Sequence, residues 1–236
     1  MIKKTLLVIT IAIVILAAPL TVRLFELPHS DLSKSKNILG TQIKVACVGD
    51  SITEDSNYPA YLQSLLGANY SVGNFGSRGS TVTLTSWKPY MDQPEFKSAE
   101  DFDPDIVVIM LGTNDDLMSL HQYNESFEDD YAKLIDSFEQ LDSTPQILIA
   151  SSPPIFSNSS DLSPSYLTDT IILKTDDLAN NLNLTTIDIN SAIGDHPEYF
   201  KDGVHPNDEG SSIIATQVYD TIDSFPNDSN LNSLGT

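Results

Sequence analysis

Cysteine and positive charge are what this sequence has least of. Its 236 residues include one cysteine, Cys47, and 12 lysines and arginines stand against 33 aspartates and glutamates, a formal net charge of −21. A single cysteine excludes an intrachain disulfide and any cysteine-based metal cluster. Cys47 lies inside an apolar run and reads as a small core residue. So acidic a body repels nucleic acid and anionic lipid headgroups, which argues against both as partners, and it disfavours polyanionic substrates. Tryptophan is scarce as well, Trp87 being alone. Also missing are a P-loop, a dinucleotide fingerprint, a zinc-type histidine cluster and the Gly-x-Ser-x-Gly elbow. No cofactor and no metal is therefore expected.

One long apolar run is present, at the start. Lys3 and Lys4 precede Thr5–Leu20, and no further charge occurs before Arg23. Residues 1–24 read as an export signal, with the lysines on the cytoplasmic side. The run is long for a cleaved signal and nearly long enough to span a bilayer, so cleavage and retention as a membrane anchor are both open. Either way the body is expected to be exported: extracellular, at the cell surface or periplasmic. Residues 25–41 are polar and aperiodic, a linker. Residues 42–225 are enough for one sizeable α/β domain, and 226–236 read as a disordered tail. Glycosylation sequons at Asn69, Asn124, Asn158, Asn183 and Asn227 are weak support for export, since about three would arise by chance in so Asn-, Ser- and Thr-rich a chain.

Within the domain, short apolar runs alternate with helical spacing. Strands are expected over Ile43–Val48, Tyr70–Phe75, Asp105–Leu111, Gln146–Ala150 and Thr185–Ile189. Helices are expected over Tyr58–Leu66, stopped by Gly67, and over Phe127–Leu141, where Phe127, Tyr131, Leu134, Ile135, Phe138 and Leu141 share a face. Two more are expected over Tyr166–Leu182 and from an Asn207 N-cap to about Ser224. Alternation of this kind implies a parallel sheet with helices on both faces. Its site should lie beyond the carboxyl ends of the strands.

Four polar motifs fall at such ends. They are Gly49-Asp50-Ser51-Ile52-Thr53, Gly79-Ser80-Thr81, Gly112-Thr113-Asn114-Asp115 and Asp202-Gly203-Val204-His205-Pro206. Each alone is ordinary turn chemistry. Together they supply what attack on an ester carbonyl needs. Ser51 offers an oxygen, and a histidine titrating near neutrality can take and return its proton. Asp202, three residues before His205, can fix that ring's tautomer. His29, His121 and His196 have no such partner arrangement. The Ser51 backbone N–H, Gly79 and the Asn114 side-chain amide are candidate donors to the developing oxyanion. Asp50 and Asp115 read as supporting carboxylates. Trp87 and Tyr90 are candidates for an aromatic platform under a sugar ring or for packing. Arg78 is a candidate for a polar substrate contact or for an ordinary ion pair.

With these motifs in this order, residues 43–224 resemble the SGNH (GDSL-type) hydrolases. Ser51 matches the family's nucleophile, Gly79 and Asn114 its oxyanion residues, and Asp202 with His205 its Asp-x-x-His pair. The resemblance implies a three-layer α/β/α flavodoxin-like fold with a central five-stranded parallel sheet. It also implies a metal-free acyl-enzyme mechanism in a shallow, open site. Lys88-Pro89-Tyr90, Pro94-Glu95-Phe96-Lys97 and Asp195-His196-Pro197-Glu198 are similar to stretches of sialate O-acetylesterase-like and acetylxylan esterase-like members. That implies a carboxylic ester hydrolase removing short acyl groups from carbohydrates. Alternatives are a lysophospholipase- or thioesterase-like lipid esterase, an O-acetyltransferase, and a non-catalytic glycan-binding protein. No long apolar stretch flanks the motifs to form an acyl tunnel, which favours small acyl groups.

Overall fold

The central strands of the domain are apolar on both faces, and that property dictates the layering. The computed structural model describes residues 42–156 and 161–225. Segments 1–24, 25–41 and 226–236, with His29 and the sequons at Asn158 and Asn227, lie outside the described residues.

Five strands, β1 (Ile43–Gly49), β2 (Tyr70–Gly76), β3 (Ile106–Met110), β4 (Gln146–Ala150) and β5 (Thr185–Ile187), form one parallel sheet. Their order is β2-β1-β3-β4-β5, the flavodoxin-like order whose direction reverses between β1 and β3. Side chains alternate across the sheet with a period of two. Val45 and Cys47 of β1, Val108 and Met110 of β3 and Leu148 of β4 enter one core. Ala46, Val48, Val107, Ile109, Ile147 and Ile149 enter the other. Cys47 is fully buried, and burial pushes its thiol up to about 12, as befits a core residue.

Helices α2 (Tyr58–Leu66) and α7 (Asp208–Asp223) cover the first core with Tyr58, Leu62, Ile214, Val218 and Ile222. Asn207 caps α7 as its sequence suggested, accepting from the Gly210 N–H at 3.1 Å. Asn57 before α2 donates to Asp208 at 2.8 Å and joins the two helix starts. On the other face α4 (Phe127–Glu139) buries Phe127, Tyr131, Leu134, Ile135 and Phe138. Each buried Phe, Leu or Ile there contributes roughly 1.5–3 kcal/mol. Beside it lie α3 (Pro94–Asp101) and α5 (Leu173–Asn181).

Three local expectations are corrected. The helix expected over Tyr166–Leu182 begins earlier, at Pro164–Tyr166, and widens into a π-helical stretch, Leu167–Ile172, before α5. The wider turn lets Leu167, Ile171 and Ile172 all reach the core. The fifth strand stops at Ile187 instead of Ile189. Asp188 accepts from the Ser191 N–H at 2.9 Å and thereby caps a short helix, α6 (Ile189–Ile193). Finally, α3 stands where no helix was expected. Among the described residues no helix is long and apolar enough to cross a membrane.

Candidate active site

The first polar turn leaves β1 at Gly49, where there is no room for a side chain. A Cβ at Gly49 would lie 2.0 Å from the Thr53 hydroxyl and 2.8 Å from the Met110 carbonyl of β3. That close approach fixes the start of α1 (Ser51–Asp55), which Asp50 caps by accepting from the Ile52 N–H at 2.8 Å. Ser51 is thus the first helical residue, on a rigid turn at the strand reversal, and is 7% exposed.

From the far end of the domain, residues 202–205 bring a histidine to it. The Ser51 Oγ lies 3.0 Å from the His205 Nε2, and the His205 Nδ1 lies 2.7 Å from the Asp202 Oδ2. The other Asp202 oxygen accepts from the backbone N–H groups of Val204 and His205 at 3.0 and 2.8 Å. Partial burial pushes this carboxyl up. The His205 backbone and ring bonds and the Val204 bond outweigh it, holding Asp202 below its ordinary range. It stays ionised, and the imidazole keeps its proton on Nδ1 with Nε2 turned to Ser51.

The second and third turns meet over Asn114. Its Nδ2 donates to the Ser80 carbonyl at 3.0 Å and to the Asp50 Oδ2 at 3.1 Å. An amide nitrogen has two hydrogens. An oxyanion bound here must therefore draw one away from the Ser80 carbonyl, a weaker acceptor than itself. Gly79 has φ +72°, and a Cβ there would meet nothing within 4 Å. The left-handed backbone requires glycine at this position, not crowding by neighbouring protein atoms. Asp115 holds the loop in place: it accepts from the Val82 and Thr83 N–H groups, each at 2.9 Å, and from the Thr83 hydroxyl at 2.6 Å.

Two carboxyls in this network are displaced upward. Burial raises Asp50 to about 7, the Ile52 N–H opposes the rise, and nearby Asp115 adds to it. Burial raises Asp115 to about 6, against its three hydrogen bonds. In the unfolded chain both would titrate near 3.8. Between pH 4 and 7 the folded chain therefore binds more protons at these groups than the unfolded chain does. Their ionisation lowers stability as pH rises through that window. Asp50→Asn should flatten the slope: in thermal melts at pH 4.5 and 7.5, the wild type should lose about 5 °C more than the variant. Equal losses would show that Asp50 does not titrate in this range.

The remaining sequence candidates separate. Tyr90 is 1% exposed and donates its hydroxyl to the Phe75 carbonyl at 2.7 Å, so it packs beneath the loop and cannot be a substrate platform. Trp87, three residues earlier, is 61% exposed. Arg78 pairs with Asp55, while its backbone N–H donates to Glu54. His121 donates from Nε2 to the Asp116 carbonyl at 2.7 Å and stacks on Tyr166, and His196 pairs with Glu198. Sequence reasoning missed Thr83 and the Ser80 carbonyl, because bonds to Asp115 and from Asn114 leave no mark in residue spacing. Among the described residues no group of three or more His, Cys, Asp or Glu is arranged to hold a metal ion.

The profile of the GDSL-like lipase/acylhydrolase family matches residues 47–213, which include every side chain of the relay and its network. The chain belongs to that family. A curated relative, an acetylxylan esterase of Xylanibacter ruminicola, is 32% identical over 199 residues. The match covers 73% of this chain but 42% of that relative, so the chain spans less than half of the relative's length. Two solved structures share the GDSL-like fold. A carbohydrate acetylesterase family member from Sinorhizobium meliloti is 22% identical, with a TM-score of 0.63 over 78% of this chain and 99% of its own. The aryl esterase of M. smegmatis is 18% identical, with a TM-score of 0.59 over 78% and 100%.

Proposed function

We propose that the chain hydrolyses acetyl esters of carbohydrates through an acetyl-enzyme on Ser51. The observation that supports this most is the continuous hydrogen-bonded relay from the Ser51 Oγ through His205 to Asp202. The Ser51 oxygen attacks the ester carbonyl carbon and its proton passes to the His205 Nε2. The carbonyl electron pair moves onto its oxygen, which the Asn114 amide and the N–H groups of Ser51 and Gly79 receive. The C–O bond to the sugar then breaks, and the alcohol leaves with the proton from His205. Water attacks the acetyl-Ser51 carbonyl, gives its proton to His205, and acetate leaves as Ser51 regains its own. Asp202 stays anionic throughout and stabilises the imidazolium.

The acetyl and carbohydrate parts of this reading draw on the activity named for the Xylanibacter relative. They also fit the absence of an apolar run near the motifs that could sheath a long acyl chain. Export is part of the proposal, resting on Lys3, Lys4 and the apolar run that follows.

Hydrolysis of p-nitrophenyl esters from acetate to laurate by the full chain, with Ser51→Ala as control, tests the reading. Activity should fall at least about tenfold from acetate to octanoate, in line with about 1–3 kcal/mol per misfit methylene step at a small pocket. It should vanish in the variant. A preference for laurate would replace it with a lipid esterase. Ser51-independent turnover would remove the relay from the mechanism.

A further inference from the structure

Trp87 is the chain's single tryptophan and lies 61% exposed. The loop that presents it is not loose. Thr81 donates its N–H to the Lys88 carbonyl at 3.1 Å and accepts from the Tyr90 N–H at 2.9 Å. The Ser86 hydroxyl receives the Lys88 N–H at 3.1 Å, and Asp130 receives the Leu84 N–H at 3.0 Å. With the Asp115 bonds to Val82 and Thr83, the backbone on both sides of Trp87 is pinned while its ring stays in solvent. A single exposed apolar ring is ordinary on a protein surface, so what lies beside it decides its use.

Trp87 lines an open hollow of about 240 Å³ together with Leu117, Ser119 and Asp161. Both walls grow out of the Asn114 site. The Ser80 carbonyl, at the root of the Trp87 loop, accepts from the Asn114 amide, and the Leu117 N–H donates to the Asn114 carbonyl at 3.3 Å. The hollow therefore lies on the two loops that the Asn114 amide joins. Its volume lies below the roughly 300–1,000 Å³ of pockets that enclose drug-sized ligands, which suits one ring rather than a chain of them.

We propose that this hollow is the subsite for the sugar ring that bears the acetyl group, with Trp87 as its stacking platform. The proposal rests on the carbohydrate reading above. A pyranose has one face of C–H groups, slightly positive, which suits the negative face of an indole. Its rim of hydroxyls suits the Ser119 hydroxyl, which can accept and donate. Leu117 completes the apolar side. Seating the ring here carries its ester toward Asn114 and Ser51, so the subsite selects the alcohol part of the substrate and leaves the acetyl group to the relay.

Two measurements on the full chain test this. First, kcat and KM are compared for wild type, Trp87→Ala and Trp87→Phe on an acetylated xylo-oligosaccharide and on ethyl acetate, which has no ring. Trp87→Ala should raise KM for the sugar ester about tenfold, the equivalent of one stacked aromatic contact, and leave ethyl acetate within twofold. Trp87→Phe should recover most of the loss. Equal losses on both esters, or none on the sugar ester, would overturn the subsite. Second, Trp87 reports on itself: in Ser51→Ala, titration with the same oligosaccharide should shift the only indole emission to shorter wavelength. An unchanged spectrum at saturation would overturn the proposal. If wild type cleaves ethyl acetate and no acetylated sugar, the carbohydrate reading itself falls and takes the subsite with it, before any Trp87 variant is needed.

Discussion

Replacing His205 by alanine should lower kcat by about 10⁴–10⁶-fold with KM nearly unchanged. His205 is the base within reach of the Ser51 oxygen, at 3.0 Å, and its ring is held by Asp202 at 2.7 Å. Without it the serine proton has no acceptor, and the leaving sugar oxygen has no donor. Both steps of the reaction lose the same group. The substrate is held elsewhere, so binding should persist. Asp202→Asn tests the same relay from its other end. An amide there can turn its nitrogen toward the ring, which favours the wrong tautomer, and a loss approaching 10⁴-fold is expected. A His205→Ala enzyme within tenfold of wild type would mean that another group takes the proton.

The second large effect is expected at Asn114. Asn114→Ala should reduce kcat by about 10²–10³-fold, the usual consequence of removing one preorganised oxyanion donor. The side chain is positioned by two acceptors, the Ser80 carbonyl and the Asp50 Oδ2. Asp50→Asn would set a second amide against the first, so that two donors face each other or one must rotate. It should also lower kcat, by less than Asn114→Ala, and the double variant should lose no more than Asn114→Ala alone. Full additivity in that cycle would show that Asp50 does not act through Asn114. Single-turnover rates separate these losses from any change in product release.

The parts of the fold that sequence made legible are those where one physical demand dominates. β1, β3 and β4 are buried on both faces, and their runs of Val, Ile and Leu announce it. α4 carries its apolar residues at helical spacing because one face alone meets the sheet. Where two patterns agree, the reading fails. Leu167, Ile171 and Ile172 fit an α-helix as well as the π-helical stretch they form. Ile187 and Ile189 read as one apolar run, although the Asp188 between them is a cap. α3 buries Ala99 with Phe96 packed against the core, too thin a stripe to notice, and Pro94 at its first position was the better signal. The site shows the same contrast. Ser51, Asn114, Asp202 and His205 stand out because each offers a chemical group that few residue types supply. Trp87 and Tyr90 looked alike in sequence; the bridge between Thr81 and Pro89 turns one outward and tucks the other under the loop.

The Asn57–Asp208 bond ties the starts of α2 and α7, and His205 stands just ahead of that junction. Ser51 and His205 are 154 residues apart in the chain, so the relay closes only once the first strand and the last helix have met. A growing chain that stops short of His205 carries a serine with no base and cannot attack an ester. Turnover is thus an assay of completed folding, because it needs both ends of the domain in place.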